Sequence, residues 1–166
     1  RRTAGATRRA GAADHGARVA NCSWGPLFNN SSVQSAGNYL KSKGGLLVVS
    51  AGNNAINENA AATTSMITVS ATTSTDTLAS WSSYGTMVSV SAPGVGIWTT
   101  SSAGGYTSVN GTSFASPIVA GVVALMMSAN PALSASQVEG LLYATAVDLG
   151  AAGRDIYFGH GRVNAD

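Results

Sequence analysis

The stretch from Asn110 to Gly121 reads NGTSFASPIVAG, a cluster of hydroxyl residues at the mouth of an apolar run that continues to Ala129. If that run is a helix, Ser113 enters it at the positive end of the dipole, where backbone N–H groups lack acceptors and negative charge is favoured. That is a place to stabilise an oxyanion. Pro117 suits the first turn of such a helix, because the N–H it lacks would have no intrahelical acceptor there. From residue types alone, the simpler role for Ser113 or Thr112 is that of an N-cap. Asn53, in LLVVSAGNN, is a second candidate. Its carboxamide is a hydrogen-bond donor just beyond an apolar run, and the alternative is a turn residue that tolerates a left-handed backbone. Acid–base groups are scarce. Asp14 and His15 are adjacent in sequence and so point in different directions; His15 reads as a helix-end or surface residue, and His160 lies in the terminal GHGRVN. Cys22 is the only cysteine, which forbids an internal disulfide, and it reads as a small apolar strand residue.

The elements that must position these groups alternate from Arg18 to Ala129 between strand-like and helix-like stretches, the pattern of an α/β domain with a mostly parallel sheet flanked by helices. Arg18 to Ser23 predicts a short strand ending at Trp24-Gly25-Pro26. SSVQSAGNYLKSKGG places Val33, Ala36, Tyr39 and Leu40 on one helical face, with Asn30 or Ser31 as cap and Gly44-Gly45 as stop. Leu46 to Ser50 is an unbroken apolar run, as in a strand buried on both faces. These three form one βαβ unit, with the loops at Ser23-Trp24-Gly25 and Ala51-Gly52-Asn53 on the carboxyl edge, where ligands bind in open α/β sheets. Shorter strands are predicted at Met66 to Ala71, Met87 to Ala92 and Ile97 to Thr100. The helix from Asn110-Gly111-Thr112-Ser113 to Ala129 is apolar nearly all round, which predicts a central, buried position. Ser134 with Gln137 makes a capping box for a helix to about Thr145, and the tail ends without a closing element.

Ala, Ser, Gly and Thr make up 85 of the 166 residues, and charged residues only 10%. This excludes a coiled coil, a charged disordered tail and a nucleic-acid binder carried by a basic surface. The net charge of +2 is concentrated: Arg1, Arg2, Arg8, Arg9 and Arg18 supply five of nine cations. The longest apolar run, Phe114 to Met127, is interrupted by Ser116, Pro117 and Gly121 and is shorter than the roughly 20 residues of a spanning helix, so no membrane partner is expected. The Arg pairs of the N-terminus precede no apolar stretch and do not form a secretory signal.

GTSFASP followed by IVAGVVALM resembles the nucleophile motif of the subtilisin-like serine peptidases, the subtilases of peptidase family S8. VANCSWG, LLVVSAGNN, MITVSATTSTDTLASWSSYG, VSVSAPGVGI and YFGHGRVN resemble further blocks that occur in this order in that family. The resemblance covers about residues 12 to 165. It implies a subtilisin-like α/β fold, incomplete at its N-terminus. It implies that Ser113 is the nucleophile, that the Asn53 amide and the Ser113 N–H form the oxyanion hole, and that Ser23, Trp24, Gly25, Ala51 and Gly52 bind the substrate around the side chain preceding the cleaved bond. Trp24 and the absence of charge in both segments suggest an apolar or broad preference. Pro26 stands where a second Gly is common, which removes a donor from the edge offered to substrate, and Ile118 stands where the family often has His.

The family's catalytic Asp and His lie in two upstream segments that this sequence lacks, and the resemblance assigns neither role to His15 or His160. The expectation is therefore an Arg-rich arm or mistranslated start over residues 1–11, followed over 12–166 by the C-terminal portion of a peptidase domain. On that expectation the parent is an endopeptidase, while this polypeptide alone is feebly active. A non-catalytic peptide-binding module is the alternative from another class. An esterase is disfavoured by the absence of a G-x-S-x-G elbow. The expected partner is a polypeptide substrate and the location extracellular, both by resemblance alone; the oligomeric state is not legible. No cofactor is required for the chemistry. Many family members bind structural calcium, but the seven carboxylates are scattered without EF-hand spacing, and no metal ligand is assigned.

Overall fold

In the run LLVVS successive side chains must point to opposite faces of a sheet, and both faces are apolar. The computed structural model, which describes residues 11–25 and 27–165, shows that consequence directly. Leu46 and Val48 enter one hydrophobic cluster and Leu47 and Val49 a second one on the other side. Residues 1–10, most of the arm expected over 1–11, lie outside the described residues, as does Pro26.

The strands are β1 (Val19–Cys22), β2 (Leu46–Ser50), β3 (Ile67–Thr72) and β4 (Val90–Pro93), in a parallel sheet of order β1-β2-β3-β4. Helix α1 (Ser31–Ser42) makes the crossover from β1 to β2. Asn30 caps it through its side chain, which accepts from the Val33 N–H. Val33, Ala36 and Leu40 are buried on its inner face. Helix α2 (Thr112–Ala129) packs on β1, β2, β3 and β4 from the opposite side, and α3 (Ala135–Ala144) follows with the Ser134–Gln137 capping box in place. The α/β architecture, mostly parallel and flanked by helices, is the one the residue pattern predicts. Cys22 is a buried strand residue.

Four expectations need correction. β4 begins at Val90 rather than Met87, because Val88 N–H turns back to the Gly85 carbonyl at 3.0 Å. After β5 (Ile97–Thr100) the chain forms a further strand, β6 (Tyr106–Val109), antiparallel to it, which is absent from the predicted strands. Helix α2 is not buried all round. Its inner face holds Ala115, Val119, Val123 and Met127, while Gly121, Ala124 and Leu125 are exposed, Leu125 at 64%. Its 18 residues and mean hydropathy of 1.6 are those of a membrane span by length and composition alone. The tail does close the structure: Val163 N–H donates to the Ser91 carbonyl, Ser91 N–H to the Gly161 carbonyl, and Arg162 pairs with Val147.

Candidate active site

The carboxyl ends of β1 and β2 are neighbours, and the first turn of α2 lies across them. Gly111, with φ 155°, holds the N-cap position of α2 and offers no side-chain cap, so neither Ser113 nor Thr112 is the N-cap. The Thr112 side chain, fully buried, turns instead to the end of β2. Its Oγ1 accepts from the Gly52 N–H at 3.2 Å and donates to Asn53 Oδ1 at 2.8 Å, and the Thr112 N–H donates to the same oxygen at 2.9 Å. Two donors fix the carbonyl end of the carboxamide, so Nδ2 is the end left to donate outward. Asn53 does not have a positive φ, which removes the left-handed turn reading; in that loop Ala55 and Asn59 have it instead.

Ser113 is tied to the end of β1. Its Oγ donates to the Ser23 carbonyl at 3.2 Å, and Ser23 Oγ donates to the Ser113 carbonyl at 2.7 Å. The second bond has a cause in the sequence. Pro117 is the sixth residue of α2, not part of its first turn, so its missing N–H is the one that would have satisfied the carbonyl of Ser113. Ser23 supplies the donor that proline removes. Asn21 extends the contact, its Nδ2 donating to Ser23 Oγ at 2.9 Å and its Oδ1 accepting from the buried Ser116 hydroxyl at 2.5 Å. The Ser113 N–H, in the first turn, has no acceptor among the described residues.

The other predicted site residues frame this spot. Ser50 Oγ donates to the Trp24 carbonyl at 3.0 Å, joining Ser23-Trp24-Gly25 to β2. Trp24 is 65% exposed and so is not a core aromatic. Ala51 is buried at the end of β2, and Gly52 has φ +110°, a conformation that glycine adopts without strain. Ser113, Asn53, Ser23, Trp24, Ala51 and Gly52 are thus brought together on one edge; Gly25 follows Trp24 there, exposed.

The histidines lie elsewhere. His15 is exposed after the helical residues 11–14, and Asp14 accepts a hydrogen bond from the Tyr39 hydroxyl. That bond holds the Tyr39 proton, so its pKa is raised. His160 stacks on Tyr143 with ring centroids 4.5 Å apart and lines a cavity with Glu139 and Arg154. Burial and the Arg154 charge lower the His160 pKa, while burial above all pushes the Tyr143 phenol well upward. Among the described residues, neither histidine is hydrogen-bonded to Ser113. Ile118 packs at the border of the core. Among the described residues no three of His, Cys, Asp and Glu come together. The Asp148 and Asp155 carboxylates accept instead from the backbone N–H groups of Gly153, Ala151, Tyr157 and Phe158.

One feature escaped sequence reasoning. The reciprocal Ser23–Ser113 pair was readable only from the position of Pro117 relative to the helix start.

The model of the subtilase family, peptidase S8, matches residues 2–161. The chain is 38% identical over 161 residues to subtilisin DY of Bacillus licheniformis, covering 93% of this chain and 58% of that protein. It is 39% identical over 156 residues to thermitase of Thermoactinomyces vulgaris, covering 93% and 54% respectively. Among solved structures it is similar to sphericase, with a TM-score of 0.83 at 30% identity over 97% of this chain and 63% of that one. The S41 psychrophilic protease gives a TM-score of 0.84 at 28% identity over the same shares. The chain spans about half the length of the curated relatives it matches.

Proposed function

This chain belongs to the subtilase family of serine peptidases, and from that premise we propose that its site serves peptide-bond hydrolysis in a secreted endopeptidase. The observation that carries the reading is the clamping of Asn53 Oδ1 by both the N–H and the hydroxyl of Thr112, the residue before Ser113. In this reading Ser113 Oγ attacks the carbonyl carbon of the scissile peptide and gives its proton to a general base. The carbonyl oxygen becomes an oxyanion, to which Asn53 Nδ2 and the Ser113 N–H donate. Both donors are held before reaction, which is what makes such stabilisation effective. Ser23 to Gly25 and Ala51-Gly52 flank the substrate chain and line the pocket for the side chain preceding the cleaved bond, pairing with an extended backbone as an added strand would.

A serine hydroxyl without a base is a poor nucleophile. The Ser113 hydroxyl rests on the Ser23 carbonyl, an acceptor far too weak to serve as one. The proposal therefore has two parts: the base and its orienting acid come from residues beyond these 166, and the polypeptide alone turns over slowly. The same missing base is what favours the second reading, a peptide-binding module without catalysis. Exposure to a fluorophosphonate, followed by peptide mapping, tests both parts. The expected result is slow labelling confined to Ser113 among the 22 serines. Labelling spread over many serines, or none at Ser113, refutes the nucleophile. Labelling as fast as in a complete serine peptidase refutes the missing base.

A further inference from the structure

Arg154 and His160 flank the turn that brings the chain back to the amino ends of β3 and β4, the side of the sheet away from Ser113. That turn is pinned. Asp155 N–H donates to the Gly159 carbonyl at 2.9 Å, and His160 N–H to that of Ser89, just before β4, at 2.8 Å. Gly159 has φ +64°, and a Cβ on it would stand 2.2 Å from the Ser89 carbonyl oxygen, so the close fit needs glycine. The Arg154 guanidinium is anchored through Nη2, which donates to the Thr86 and Val88 carbonyls at 2.5 and 3.0 Å. The His160 ring is held against that of Tyr143 on α3. Both residues line one cavity of about 150 Å³ together with Glu139, Ser89 and Thr64. Arg154 is exposed and His160 half-buried, so a solute reaches them from outside.

The acceptors around this cavity are spent, and the cationic donors are not. Glu139 Oε1 accepts from the Tyr143 hydroxyl at 3.1 Å, and Oε2 pairs with Lys41 Nζ of α1 at 2.5 Å. Lys41 Nζ also donates to the Thr64 carbonyl at 3.0 Å, and Ser89 Oγ accepts from the Thr68 N–H at 3.2 Å. The Asp155 carboxylate is turned to the N–H groups of Tyr157 and Phe158. In contrast, the N–H groups on Nε and Nη1 of Arg154 have no acceptor among the described residues, and neither has the His160 ring. The Glu139–Lys41 pair cancels, which leaves the Arg154 charge uncompensated beside the imidazole. Burial and that charge both disfavour the imidazolium, and an anion between the two groups reverses the second effect. The volume is that of about five water molecules at about 30 Å³ each, enough for a tetrahedral oxyanion and below the roughly 300–1,000 Å³ of pockets that enclose larger ligands. We propose that this cavity is a binding site for a small oxyanion of the phosphate and sulfate class, held by Arg154 and His160. A bound oxyanion favours the protonated imidazole, so affinity rises as pH falls and His160 becomes the second cation. The site lies apart from Ser113 and does not depend on the peptidase reading.

The test is proton NMR of the 166-residue chain, in which His160 and the exposed His15 are the two histidines. Sodium sulfate is the probe, because its charge does not change over the range in which imidazole titrates, and sodium chloride at equal ionic strength is the control. The expected result is a saturable shift of the His160 ring signals with sulfate while those of His15 stay in place. Sulfate should also raise the titration midpoint of His160 by at least about half a pH unit, equivalent to about threefold tighter binding by the imidazolium form. In Arg154→Gln the affinity for sulfate should fall at least about tenfold, as expected for the loss of charge-assisted hydrogen bonds. Equal shifts at both histidines, or none at His160, overturn the site. Unchanged sulfate affinity in Arg154→Gln overturns it as well, and a midpoint that sulfate leaves in place overturns the coupling to His160.

Discussion

Replacing Ser23 by alanine isolates the hydrogen bond that compensates Pro117. The change removes a neutral bond of 2.7 Å and leaves the Ser113 carbonyl without a donor, since residue 117 has no N–H to offer; the exposed Asn21 Nδ2, which also loses the Ser23 hydroxyl, turns to water at little cost. A net bond is worth about 0.5–1.5 kcal/mol, and a carbonyl left unpaired adds about 1 kcal/mol, the lower end for a group that water partly reaches. The expected loss is therefore about 1.5–2.5 kcal/mol. With a urea slope of about 2 kcal/mol/M, the unfolding midpoint followed by far-UV circular dichroism falls by roughly 1 M. The decisive measurement is the same substitution in a Pro117→Ala background. There the helix ladder regains its donor, and Ser23→Ala is expected to cost no more than about 0.5 kcal/mol, a coupling of about 1–2 kcal/mol. Pro117→Ala by itself is a poor readout, because helix propensity and unfolded-chain freedom change with it in opposite directions. The cycle cancels those terms. Equal costs of Ser23→Ala in the two backgrounds would refute the compensation.

Gly37→Ala tests packing against propensity: in the interior of α1 alanine is favoured by about 1 kcal/mol, yet its Cβ would meet the Ser65 carbonyl oxygen at 2.1 Å and Leu47 Cδ2 at 3.2 Å. Backbone cannot yield as a side chain does, so a net loss of about 1–3 kcal/mol in urea unfolding is expected, and any stabilisation would contradict the geometry. His160 gives a pH prediction. Its pKa is lowered from 6.5 by burial and by Arg154, so as pH falls below about 6.5 the unfolded chain binds the proton first. Stability then falls with pH until the folded-state pKa is passed. Melting temperatures between pH 7 and 5 should decline less steeply in His160→Gln, and an identical slope would rule out this contribution.

The parallel sheet was legible because Leu46–Val49 is apolar at every position and the cap and stop residues of α1 flank an amphipathic face. The β5–β6 hairpin was not, since Tyr106, Thr107 and Ser108 are all exposed and show no alternation; only Gly104 and Gly105, both with positive φ, marked the turn. Likewise α2 is apolar throughout while the sheet covers one side of it, so composition overstated its burial. At the site, residue types alone favoured capping for Ser113 and a turn for Asn53, and family resemblance reversed both. What no local pattern could supply was the link between them, a buried threonine hydroxyl spanning 59 positions.

The tail bridge at Arg162 makes the two borders of the sheet unequal. Along β4 the returning chain takes up the Ser91 N–H and carbonyl, so that border presents nothing for another strand to copy. Along β1 the border is unclaimed among the described residues, with Val19 and Ala20 only half-buried. Unclaimed borders are where chains add to one another, and trimming the last few residues would give this sheet two of them, turning a one-sided template into one that can propagate in both directions.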